Sequence, residues 1–97
     1  MQPIEVFIPS MLADCVNGAR SVMISADTLA SAIEQLRRFN PLLRAHIFEE
    51  SGQIRRNVLI FHNKENVNWI EDWNVKLQPG DQLHIVPAVS GGAEGDK

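Results

Sequence analysis

"LQPGDQLHIVPAVSGG", Leu77 to Gly92, is the stretch on which the reading of this chain turns. It opens on Pro79-Gly80, the pair a type II turn wants at its centre: a fixed φ first, then a positive one. A strand follows in which Leu83 and Ile85 share a face, the period of an element with one side on a core. Pro87 closes the strand, and the chain thins to Ser90-Gly91-Gly92. Glycine lets backbone approach another surface closely. A run of this kind reads as a working end, yet Ala93-Glu94-Gly95-Asp96-Lys97 comes after it.

Working outward, "IEVFI" (Ile4 to Ile8) alternates as a half-buried strand, with Ile4, Val6 and Ile8 on one face, and Pro9 ends it. Asn17-Gly18 is a turn signal, and "SVMIS" (Ser21 to Ser25) is a second strand. The two predict an opening hairpin with a long loop. "ADTLASAIEQLRRFNP" then predicts a helix capped by Asp27 or Thr28, with a stripe of Leu29, Ala32, Ile33 and Leu36. Arg37 and Arg38 suit its C-terminal dipole, and Asn40-Pro41 stops it. A short helical turn is expected near Leu42 to Ile47, and a loop at Ser51-Gly52. "NVLIFH" (Asn57 to His62) is a strand apolar on both sides, predicted to be central. "NKEN" (Asn63 to Asn66) is predicted to be a turn. One helix covering one face of a small mixed sheet is the economical assembly, an α+β domain.

At 97 residues the chain has room for one core, and a chain of this size buries roughly two-thirds of its unfolded surface. A net charge of −3 gives no electrostatic footprint for nucleic acid or anionic membrane. There is no apolar run of the roughly 18 residues a membrane span needs. The one cysteine, Cys15, cannot form an internal disulfide, which fits a reducing cytoplasm. His46, His62 and His84 have no metal-ligand spacing, so no metal or bound cofactor is expected. No nucleophile and base are spaced to converge, so the chain is expected to have no catalytic residues of its own.

Three blocks resemble the ubiquitin-like β-grasp fold, and more narrowly the MoaD/ThiS-type sulfur carriers: "SADTLASAIEQL", "NVLIFHNKENV" and "LQPGDQLHIVPAVSGG". The resemblance covers nearly the whole chain up to Gly92. It implies a β-grasp domain over residues 1–87, a functional tail over 88–92 and a removable extension over 93–97. In this family the terminal glycine carboxylate is adenylated by an E1-like enzyme and becomes a thiocarboxylate whose sulfur is later donated. The resemblance therefore places the working carbon at Gly92, with Ser90 and Gly91 in the tail. ATP and magnesium would be used by the activating partner. "FIPSML" and "RRNVLIF" look most like carriers that serve cysteine, siderophore or related sulfur pathways.

The physical demand on the tail is separate from the family. Adenylation needs a free carboxylate, whereas Gly92 carries an amide to Ala93. The expectation is a precursor cut between Gly92 and Ala93, for which some relatives use a JAMM-type metallopeptidase. From Pro87, five extended residues reach at most roughly 17 Å, at about 3.4 Å each, enough to enter a partner's cleft. Fixing each of them costs roughly 1–2 kcal/mol, so the folded domain must supply docking contacts. Phe7, Leu59 and Phe61 are the candidates, if they lie on the sheet face away from the helix; the other reading puts them in the core. Partners are thus the adenylating enzyme, the peptidase and a sulfur-accepting biosynthetic enzyme. Trp69 and Trp73 read as packing residues. A ubiquitin-like modifier joined through Gly92, or a molybdopterin-synthase small subunit, is the alternative function.

Overall fold

The computed structural model describes residues 1–87. The strands are β1 (Gln2–Phe7), β2 (Ser21–Ala26), β3 (Val58–His62), β4 (Glu65–Asn66) and β5 (Gln82–Pro87), with helices α1 (Leu29–Phe39) and α2 (Pro41–Ile47). The sheet order is β2-β1-β5-β3-β4. β1 runs antiparallel to β2 and parallel to β5, and β3 is antiparallel to both β5 and β4. The first and last described strands are thus neighbours at the heart of the sheet. With the MoaD/ThiS-like blocks in place, this mixed sheet with its covering helix is the β-grasp arrangement.

One face of every long strand feeds the core. Ile4 and Val6 from β1, Ile24 and Ala26 from β2, Val58 and Ile60 from β3, and Leu83 and Ile85 from β5 are all buried. They join Leu29, Ala32, Ile33 and Leu36, the predicted stripe of α1, in one cluster. Thr28 caps that helix: its Oγ1 accepts from the Ser31 amide at 3.1 Å, while Ser31 Oγ accepts from the Thr28 amide at 3.0 Å. Asn40 ends α1 and caps α2, its Oδ1 accepting from the amides of Leu42 and Leu43. Pro41 takes the first position of α2, where its missing amide hydrogen costs nothing. Gly80 has φ +89°, and the Asp81 amide donates to the Gln78 carbonyl at 3.0 Å, as a type II turn over Gln78–Asp81 requires.

Four expectations are corrected. β3 is not central; it is fourth in the order, and β5 holds the middle. Its neighbours are β5 and the two-residue β4, and its second apolar face is the outward one that carries Leu59 and Phe61. The loop of the opening hairpin folds into a 3-10 helix, Ser10–Val16, because Leu12 and Val16 can reach the core. The second half of "NKEN" is strand β4, and the turn is confined to Asn63-Lys64, with Asn63 at φ +56°. Trp69 is not a packing residue: it is 76% exposed, whereas Trp73 packs against the core and donates its Nε1–H to the Val67 carbonyl.

Candidate docking face and carrier end

The strand period that sends Val6, Ile60 and Leu83 inward sends their neighbours outward. Phe7 is paired with His84 across β1 and β5, and Phe61 is paired with His84 across β3 and β5. Residues directly opposite in a sheet share a face, so Phe7, His84 and Phe61 form a row across three strands. Leu59 is opposite Val86 one step further along the same face. Phe7, Leu59 and Phe61 are all half-buried and none belongs to the core. The structure therefore places the three together on the face away from α1, and the reading that put any of them in the core is overturned.

Two members of this face escaped the sequence reading, His84 and Val86. The signal was present, since both alternate with Leu83 and Ile85 on one strand. The His84 ring lies on the Phe7 ring with centroids 4.6 Å apart and planes 7° from parallel. Its Nε2 is 3.2 Å from Gln82 Oε1. Val86 is 39% exposed, and Met23 on β2 is 57% exposed on the same side. Glu5 borders the row and accepts from Ser21 Oγ at 2.7 Å.

His62 and His84 do not form a joint site. His62 is opposite Leu83 and His84 is opposite Phe61, so the two rings point to opposite faces. His62 Nε2 is 3.0 Å from Asp81 Oδ2. Burial pushes the Asp81 pKa up, but hydrogen bonds from the Gln78 amide, His62 and Asn63 outweigh it and hold the carboxyl below its ordinary value. Glu34 is likewise held low, first by its hydrogen bond from Arg37. Arg37 also donates to the Gly52 carbonyl at 3.0 Å and lies 4.9 Å from the centre of the Phe48 ring. These contacts tie α1 to the loop that follows α2. A cleft of about 690 Å³ beside them includes Arg37, Arg44, Glu50 and Trp73 in its lining, with none of the ring row.

Among the described residues, no three His, Cys, Asp or Glu side chains converge as a metal site, and no helix is long and apolar enough to cross a membrane. Ser90, Gly91, Gly92 and Ala93 lie outside the described residues, as do the boundaries proposed for the tail and the extension. What the structure does place is their point of departure. Pro87 ends the central strand, one residue after Val86 of the outer face.

Comparison with known proteins agrees with this geometry. The model of the ThiS family matches residues 8–92. The sulfur carrier protein CysO of Mycobacterium tuberculosis is 32% identical over 91 residues, covering 92% of this chain and 98% of that protein. The crystal structure of Mycobacterium tuberculosis CysO superposes with a TM-score of 0.73 at 31% identity, covering 89% of this chain and 99% of that one. A chain of the Amycolatopsis orientalis BexX/CysO complex gives 0.74 at 27% identity, with 92% and 99% covered. Small archaeal modifier protein 1 from Methanosarcina acetivorans, at 23% identity and a TM-score of 0.76 with 95% and 98% covered, shares the fold. With the ring-lined sheet, the central last strand and a family match that runs through the Gly-Gly, this chain belongs to the ThiS family of ubiquitin-like, MoaD/ThiS-type sulfur carriers.

Proposed function

We propose that the chain works as a consumable sulfur carrier through Gly92, after residues 93–97 are removed. The observation that carries the reading is the family match, which runs to Gly92 and leaves Ala93 to Lys97 beyond it. A metallopeptidase of the JAMM type would hydrolyse the Gly92–Ala93 amide in the cytoplasm and free the carboxylate. An E1-like adenylyltransferase would then join that carboxylate to the α-phosphate of ATP, with pyrophosphate leaving. A sulfide-level nucleophile displaces AMP from the acyl carbon and leaves the thiocarboxylate. A biosynthetic enzyme finally accepts the sulfur; the complex of the Amycolatopsis carrier with BexX supports a protein partner at that stage. The chain supplies no catalytic group to these steps.

Its own part is docking and delivery. The row Phe7, His84 and Phe61, with Leu59 and Val86, is the surface the activating enzyme covers. Its apolar area offsets the entropy of ordering the tail. Glycine at 91 and 92 keeps the reacting carbon clear of side chains.

The test compares the full chain with a version ending at Gly92, each mixed with the adenylating enzyme, ATP and magnesium. Exchange of labelled pyrophosphate into ATP is the readout. Exchange with the trimmed chain and none with the full chain is expected. Full-rate exchange with the uncut chain would remove the precursor step.

A further inference from the structure

The docking face carries one titratable ring at its centre. His84 is flanked by Phe7 on β1 and Phe61 on β3, each directly opposite it. Stacking on Phe7 at 4.6 Å fixes the plane of the imidazole. With Gln82 Oε1 as the acceptor at 3.2 Å, the neutral ring carries its proton on Nε2 and leaves a lone pair on Nδ1. We propose that His84 is the pH-sensitive centre of this face, and that the activating enzyme docks on it with the imidazole neutral. This rests on the docking surface proposed above.

The reasoning is one of desolvation. A partner that covers Phe7, Phe61, Leu59 and Val86 also takes His84 out of water. A neutral imidazole loses little by this, having Gln82 on one nitrogen and a lone pair for the partner on the other. A protonated ring brings a positive charge into the same apolar setting and turns its acceptor into a donor, so an unpaired charge is buried. The surrounding strands offer little to neutralise it. β3 presents Leu59 and Phe61, β2 presents Ser21, Met23 and Ser25, and β5 presents Gln82 and Val86. On β1 the outward carboxylate is Glu5, which sits opposite Gln82 rather than His84 and is engaged by Ser21. Arg20, the residue before β2, lines a cleft together with Phe7 and adds a positive charge to the margin.

The occupant follows from where the chain goes next. β5 carries His84 and Val86 and ends at Pro87, so Gly92 lies within roughly 17 Å of it, at about 3.4 Å per residue. An enzyme holding Gly92 in its active site is thereby brought against the ring row. Imidazoles titrate between pH 5 and 8, and if only the neutral form is covered, the dissociation constant rises about tenfold for each pH unit below the midpoint.

The experiment measures binding of the Gly92-ended chain to the source cell's purified E1-like adenylyltransferase at pH 7.5 and pH 5.5. Wild type, His84→Gln and Phe61→Asp are compared, with circular dichroism confirming the fold of each. Wild type is expected to lose affinity at the lower pH. His84→Gln should lose most of that dependence, because titration of the enzyme's own groups affects both proteins alike. Phe61→Asp should bind weakly at both values. Equal pH slopes for wild type and His84→Gln would overturn the role of His84 while leaving the docking face standing. Undiminished binding by Phe61→Asp, or no binding by wild type at either pH, would overturn the docking face and the inference with it.

Discussion

Asp81 joins two turns at one end of the sheet. Its carboxylate accepts from the Gln78 amide at 2.8 Å, from Asn63 Nδ2 at 3.2 Å, and meets His62 at 3.0 Å. The turn that starts β5 is thereby tied to the turn after β3. Its side chain is 14% exposed. A carboxyl whose folded pKa lies below its unfolded value stabilises the protein fully above the unfolded value, about 3.9, and loses that contribution as pH falls through the folded one. Asp81→Asn should therefore be less stable than wild type in urea unfolding at pH 7, with the gap closing in strongly acidic solution. A gap of constant size would mean that the carboxylate's charge plays no part. The same corner explains why His62 belongs to the scaffold and His84 to the face. Adjacent positions in the β3–β5 register point them apart.

At the scale of elements, local chemistry and the fold agree closely along α1. Thr28 and Ser31 satisfy each other's amides, and Asn40 does the same for α2. Thr28→Ala should cost about 1 kcal/mol in equilibrium unfolding, and Thr28→Ser should restore most of it. Loss of nothing measurable would place the helix start elsewhere. These elements were legible because their signals are local: a cap, a 3.6-residue stripe, a proline and a Pro-Gly turn. The position of β3 was not, because its composition reports how apolar its two faces are and says nothing of its place in the strand order. The 3-10 helix at Ser10–Val16 escaped because so short a segment carries too few residues for a clear period, and Trp69 escaped because its exposure is decided by distant packing. The ring row was half legible. Phe7, Leu59 and Phe61 were candidates whose face stayed open, because a strand apolar on both sides does not say which side is inward. His84 and Val86 needed the register between strands before they joined them.

For the whole molecule, the consequential feature is the order β2-β1-β5-β3-β4. Pairing β1 with β5 puts the last described strand in the middle, so the described chain ends at Pro87 beside the broadest part of the outer face rather than at a sheet edge. The helix side buries the core, the other side carries the row of Phe7, His84 and Phe61, and one strand serves both surfaces. This division suits a protein that is handed from one enzyme to another by a tail. The position of Gly92 as the working end is the claim on which that view depends. The direct test is the intact mass of the protein taken from its native cells under mild reduction. The account predicts chains ending at Gly92, some of them heavier by the exchange of one oxygen for sulfur. Chains that all still end at Lys97 while the pathway is active would contradict it.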